Sequence, residues 1–262
     1  MSKVIFKLKG SHLIHAGEAN MGGNILHLEG ESYEVQKLLW DAPVSGTIYG
    51  TLLNYKGELE NLGDIVKEAP YNNPPKAPIL YIKPINTITS FGMPIPIPEG
   101  ELQLEMGAAL AVVFGRTATR VSEAQALEYV EGYTIINDVT IPHESVYRPA
   151  VKYKARDGFC PVGPWIVEKK GINPDALTIK VFINNQLKQE NSTVNLIRSV
   201  SRLISEVTEF MTFHKGDILL VGVPENPPLA SAGDHVRIEI EGIGSLENTI
   251  VKETELTAGV KL

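Results

Sequence analysis

Short β-branched and aromatic runs outnumber helical stripes along this chain, no strand-helix-strand rhythm recurs, and its 262 residues are 43% hydrophobic and 21% charged. Together these features predict a mixed α/β, β-rich protein whose sheets are mixed or antiparallel. A chain of this length and composition buries a large core, enough for one large domain and a smaller one.

The elements follow in order. Residues 1–45 alternate short apolar runs (Val4-Ile5-Phe6, Asn24-Ile25-Leu26, Trp40) with glycines, which predicts a small N-terminal β lobe followed by a core domain over 46–262. Thr47-Ile48-Tyr49 and Leu52-Leu53-Asn54-Tyr55 read as strand, Glu58 to Glu68 as a short helix, and Ile79-Leu80-Tyr81-Ile82 as a strand. The prolines from Pro70 to Pro78 exclude regular structure before that strand, and Met93-Pro94-Ile95-Pro96-Ile97-Pro98 is restricted to extended backbone. Ser122 to Glu131 reads as a helix behind a serine N-cap. Ser192 to Phe213 reads as a long helix, with Leu196, Val200, Leu203, Ile204 and Val207 on one stripe. Strands are predicted at Leu110–Phe114, Tyr133–Ile136, Leu177–Ile183, Leu187–Gln189, Ile218–Val221 and Val236–Glu241, with Asn184-Asn185 as a hairpin turn.

Charge and cysteine usage narrow the function. A net charge of -7, with no run of Lys or Arg, argues against nucleic acid or an anionic membrane as the main partner and favours a small solute or another protein. Met1-Ser2-Lys3-Val4-Ile5-Phe6 lacks the apolar run of a signal peptide or membrane span, so a cytoplasmic protein is expected. The single cysteine, Cys160, cannot form an internal disulfide and reads as a small buried hydrophobe.

From about residue 46 to 254 the order of motifs resembles the fumarylacetoacetate hydrolase family. Its marks include Leu53-Asn54-Tyr55, Tyr81-Ile82-Lys83-Pro84, Leu110-Ala111-Val112-Val113-Phe114-Gly115, Tyr133 to Asp138, Lys154-Ala155-Arg156-Asp157-Gly158-Phe159, Gly222-Val223-Pro224 and Gly233-Asp234. Each is weak alone, and their order and spacing make them specific. The resemblance implies a β-roll core with a smaller N-terminal lobe, commonly dimeric. Asn137-Asp138-Val139-Thr140-Ile141-Pro142-His143-Glu144-Ser145 with Tyr147-Arg148-Pro149-Ala150 is similar to the isomerase/decarboxylase branch of aromatic catabolism. That branch decarboxylates 5-oxopent-3-ene-1,2,5-tricarboxylate and isomerises 2-hydroxyhepta-2,4-diene-1,7-dioate. The expected partners are thus a small di- or tricarboxylate substrate and either a second copy of the chain or a second subunit of the same family.

The resemblance also implies Mg2+ or Mn2+, held by an E-x-E pair before the L-A-V-V strand and by the Asp of N-D-V. Two carboxylates separated by one strand residue share a face and converge on one octahedral ion. In this sequence the pair reads Gly107 and Ala109, leaving Asp138 as the sole matching ligand. An incomplete site, or none in this chain, is expected; Glu101 and Glu105 enter it only if the register shifts. Asp138 otherwise caps a turn.

Other positions depart from the family as well. The family's lid His falls near Glu58, which reads either as a substitute base or as solvated surface. Its Arg falls at Pro142, and the Thr of G-T-P at Val223. Lys154 matches the family lysine that would meet a substrate carboxylate or enolate, with a salt bridge to Asp157 or Asp138 as the alternative. Arg148 and Tyr147 are candidates to grip a dicarboxylate, and His143 with Glu144 is a candidate replacement acid/base pair. A catalytically degenerate chain that completes a metal-bearing partner is the competing expectation.

Overall fold

The computed structural model describes residues 1–22, 24–68, 72–143 and 150–257. Residues 1–45, expected to form a small N-terminal lobe, hold β1 (Ser2–Leu8), β2 (His15–Asn20), β3 (Ile25–Leu28), β4 (Glu31–Glu34) and β5 (Trp40–Asp41). Next come β6 (Ile48–Leu52), α1 (Lys56–Leu62), β7 (Ile79–Lys83), β8 (Ile88–Ser90), β9 (Ile95–Ile97), β10 (Leu104–Glu105), β11 (Ala108–Phe114) and β12 (Val130–Asn137). The remainder is α2 (Val151–Lys154), β13 (Cys160–Glu168), β14 (Thr178–Ile183), β15 (Gln186–Ser192), α3 (Val200–Thr208), β16 (Ile218–Leu220), β17 (Leu229–Ala230), β18 (His235–Ile240), β19 (Gly244–Lys252) and α4 (Glu253–Thr257).

These strands build the β-rich mixed fold that the sequence predicts. One sheet runs β4-β3-β2-β1-β13-β12-β11-β16-β6-β7, with β5 attached to β1 and β8 to β13; a second runs β15-β14-β18-β19-β9. Every residue of β11 is buried, which is why it reads as an unbroken apolar run rather than an alternation. Leu110, Val112 and Phe114 enter the larger core, while Ala109, Ala111 and Val113 enter a second cluster on the opposite face. The register Ala109↔Ile136 and Ala108↔Asn137 brings the start of β11 beside the end of β12, and the functional site forms there.

Two helices differ from their prediction. Residues 192–213 hold a 3-10 turn at Thr193–Asn195 and only the nine-residue α3. Asn54 claims the intervening backbone: its carbonyl accepts from Ile197 N at 2.7 Å and its Oδ1 accepts from Arg198 N at 3.0 Å. The helix therefore starts afresh at Ser199, whose side chain caps Arg202 N. At 122–131 the chain forms a 3-10 turn, Glu123–Tyr129, that passes directly into β12, and Ser122 makes no side-chain cap. Strands β13 and β19, nine residues each, lack sequence prediction altogether. Prolines at 161 and 164 mask the first, and the buried polar residues Ser245 and Asn248 mask the second.

Trp40 joins the N-terminal strands to the core. Its ring centroid lies 5.8 Å from Phe6, 5.8 Å from Trp165 and 6.3 Å from Phe91, all edge-on, and its indole N–H donates to Val35 O. Among the described residues no helix is long and apolar enough to cross a membrane. Trp40→Ala is expected to cost about 3–5 kcal/mol in urea denaturation, in one cooperative transition. A loss below about 1 kcal/mol, or a separate early transition, would show that residues 1–41 pack independently.

Candidate active site

Asp138 directly follows β12. Its backbone N–H donates to Gly107 O at 2.8 Å, and its side chain is buried. Three groups, two from strand β7 and one from helix α2, converge on that carboxylate. Tyr81 and Lys83 sit two residues apart on β7 and so point to the same face, while Ile82 between them is exposed. The Tyr81 hydroxyl donates to Asp138 Oδ2, and Lys83 Nζ lies 3.0 Å from Oδ1. Lys154, at the end of α2, donates to Asp138 Oδ2 at 2.8 Å and to Thr140 Oγ1 at 2.7 Å. Lys83 also donates to the carbonyls of Lys154 (2.6 Å) and Val139 (3.3 Å), so all its donors are directed inward.

The electrostatics follow from this packing. Burial by itself raises the Asp138 carboxyl, but Lys154, Lys83 and the hydrogen bonds from Lys154 and Tyr81 outweigh it and hold the group well below the carboxylate range. Burial lowers Lys83 against the opposing charge of Asp138, and burial followed by Asp138 pushes the Tyr81 phenol well up. A glycine makes the arrangement possible. A Cβ on Gly50, which pairs with Tyr81 across the β6–β7 ladder, would stand 2.0 Å from the Tyr81 ring.

Above Asp138 and Lys154 opens a cavity of about 680 Å³. Glu58, in the first turn of α1, lines it. Leu53 enters this turn at φ 55°, an uncommon value for a side-chain-bearing residue, and the amides of Tyr55, Leu53 and Asn54 turn toward the Glu58 carboxylate. Burial outweighs those amides and the charge of Lys154, pushing the Glu58 carboxyl up to about 7. The surface reading of Glu58 is therefore corrected: the group is half-buried and faces the cavity. The Glu225 carboxyl packs against Gly57 beside it, where a Cβ would stand 2.2 Å from that carboxyl and displace it.

His143 lines the same cavity. Its Nδ1 lies 2.9 Å from Ile141 O, which can only accept, so Nδ1 is the donor in this contact. Its ring stacks on Tyr153 at 4.8 Å. Glu144, Tyr147 and Arg148 lie outside the described residues. The open choice at Lys154 resolves to Asp138, since Asp157 instead accepts from Asn86 at 2.7 Å. Sequence reasoning missed Tyr81 and Lys83 as site residues; a lysine in register with a tyrosine on an otherwise apolar strand was the available signal. Glu105 also reaches the cavity wall, where burial raises its carboxyl against the charges of Lys154 and His143.

The residues present do not fit the octahedral cation that the resemblance implies. A Cβ at Gly107 would fall 2.6 Å from Asp138 O, and Ala109 is packed into the core. No group of three His, Cys, Asp or Glu side chains suited to a metal occurs among the described residues. Both Asp138 oxygens already face ammonium groups.

The raised Glu58 carboxyl makes stability pH-dependent. Between about pH 4.5 and 7 the folded chain keeps a proton that the unfolded chain has lost, so this group's contribution to stability falls as pH rises through that window and then levels. Glu58→Gln removes the effect. Its stability relative to the unmodified chain should grow by about 2–3 kcal/mol between pH 4.5 and 8 in urea titrations; a constant difference would show that Glu58 ionises as a solvated carboxylate.

Comparison with known proteins agrees with this architecture. The Fumarylacetoacetate (FAA) hydrolase C-terminal family model matches residues 47–251. The 4-hydroxyphenylacetate degradation bifunctional isomerase/decarboxylase of Escherichia coli is 42% identical over 214 residues, which cover 82% of this chain and 49% of that protein. The chain thus spans about half the length of that curated relative. An uncharacterized protein of Archaeoglobus fulgidus is 32% identical across 91% of this chain and 92% of its own. The crystal structure of 2-hydroxyhepta-2,4-diene-1,7-dioate isomerase from Mycobacterium marinum superposes with a TM-score of 0.77 at 26% identity, covering 97% of this chain and 99% of that one. In sequence and in fold, this chain belongs to the fumarylacetoacetate hydrolase family.

Proposed function

We propose that this chain is a subunit of an isomerase/decarboxylase of aromatic catabolism, acting in the cytoplasm on an unsaturated hydroxy- or oxo-dicarboxylate or tricarboxylate. The substrates implied by its relatives are 5-oxopent-3-ene-1,2,5-tricarboxylate and 2-hydroxyhepta-2,4-diene-1,7-dioate. The observation that carries the reading is the pairing of Lys154 with a proton-holding Glu58 on one cavity large enough for such a molecule.

In this reading Lys154 receives the substrate's anionic oxygen, and Glu58 moves the proton. For the isomerisation, the Glu58 carboxylate takes the enol hydroxyl proton; the electron pair shifts along the diene, and the resulting carboxylic acid returns a proton to the far carbon. For the decarboxylation, the C–C bond to the carboxylate breaks and CO2 leaves. The electron pair is held as an enolate beside Lys154 until Glu58 protonates it. A carboxyl poised near neutrality serves both directions of transfer. His143 lines the cavity as a further candidate group, and Glu144, Tyr147 and Arg148 are carried in the same proposal from the sequence alone. The partner is a second copy or a second family subunit.

A second reading, that the chain is a degenerate companion of a metal-bearing subunit, is favoured by the side-chain loss at 107 and 109 and by the half-length match. The two readings part on turnover by the purified chain alone. Loss of the hydroxydiene chromophore should be followed spectrophotometrically with Mg2+ added. Turnover is expected, and Glu58→Gln should lower kcat by about 10²–10⁴-fold with KM changed only a few-fold. Turnover only after a second subunit is added would favour the companion reading.

A further inference from the structure

We infer that this site works without a divalent cation: the Lys154 ammonium, locked onto Asp138 and Thr140, is itself the positive group that receives the anionic oxygen of an α-keto acid or its enolate. The inference rests on the function proposed above and specifies how its charge is handled.

The first argument is charge balance. Where an E-x-E pair and an Asp hold a divalent cation, three negative charges meet two positive ones. Replacing the pair by Gly107 and Ala109 removes two negative charges, so omitting the cation restores the same total at the carboxylate position. Asp138 is then the carboxylate in contact with Lys83 and Lys154, 3.0 and 2.8 Å away, while Glu58 and Glu105 act on Lys154 from the cavity wall. A dication added to that set would be held by one carboxylate and would face two ammonium groups.

The second argument is geometric. Mg2+ needs near-octahedral oxygen ligands at about 2.0–2.1 Å. Asp138 Oδ2 already accepts from Tyr81 and Lys154, and Oδ1 faces Lys83 in a buried space. A cation would have to displace at least one of these groups from Asp138. Gly107 contributes no ligand, and the close approach of Asp138 leaves no room for a side chain there.

The third argument concerns orientation. Lysine has three N–H donors. Asp138 and Thr140 take two from Lys154, and among the described residues the third has no partner. The ammonium also stands 5.0 Å over the Tyr81 ring, and its side chain is 15% exposed on the cavity side. Lys83, fully buried, is a positioning residue: it donates to the Lys154 carbonyl at 2.6 Å and so ties the end of α2 to Asp138.

Oxalate, a planar dianion resembling an α-keto acid enolate, tests this by titration calorimetry on the full chain, once in EDTA and once with excess Mg2+. Binding in EDTA within about threefold of that with Mg2+ is expected. Lys154→Met should weaken it by tenfold or more, and Lys154→Arg should recover part of the loss; urea melts of each variant verify folding. Oxalate binding that requires Mg2+ and vanishes in Asp138→Asn would overturn the inference, and so would failure to bind under either condition. Chelator-resistant oxalate binding without turnover would reject the proposed function while leaving the inference standing. Turnover that is abolished by EDTA and recovered with Mg2+ would do the reverse.

Discussion

The buried charge cluster of Lys83, Asp138 and Lys154 is the constraint on which the site depends. An ammonium as buried as Lys83 is tolerated only with a compensating partner, since desolvation of an unpaired charge costs several kcal/mol. Asp138 supplies that compensation and is itself held ionised by the two lysines. Because Lys83 comes from β7, Asp138 from the end of β12 and Lys154 from α2, satisfying these charges also fixes three distant segments against one another. The same contacts that stabilise the cluster leave a single face of Lys154 toward the cavity.

Small residues make this cluster geometrically possible. The Tyr81 ring crosses the backbone at Gly50, and Asp138 approaches the backbone at Gly107 more closely than any side chain there would permit. Asn54 performs the complementary task on the opposite wall. Its amide donates to Val221 O and Arg198 O while its Oδ1 accepts from Arg198 N, so the start of α1, and with it Glu58, is tied to two other loops. The site is thus rigid at its floor and braced at its wall. Glu58, its carboxyl pushed up to about 7, can exchange its proton near neutral pH.

Glu58 and Asp138 show how environment divides roles between like groups. Both carboxyls are desolvated, and burial raises each. Asp138 has two ammonium partners at contact distance and stays ionised, whereas Glu58 has backbone amides and a more distant Lys154 and shifts toward neutrality. One carboxylate is therefore held as a fixed counter-charge and the other is poised to exchange a proton near neutral pH, a separation set by placement rather than by chemistry.

Much of this protein was legible in its residues. Unbroken apolar runs such as Leu110–Phe114 read as buried strand, Asn184-Asn185 marked a hairpin, and the ordered motifs around Asn54, Asp138 and Lys154 pointed to the family and to Asp138 and Lys154 as neighbours of the cavity. The absence of carboxylates at 107 and 109 was equally plain. Strands β13 and β19 escaped because prolines in the first and buried polar residues in the second hide the two-residue period, and the long apolar stripe of 192–213 concealed a break made by Asn54, 144 residues away from Arg198. The environment of Glu58 and the joint hold of Tyr81 and Lys83 on Asp138 belong to the tertiary structure alone. Desolvation and charge pairing depend on which groups meet in space, and residue identity specifies the groups without specifying the meeting.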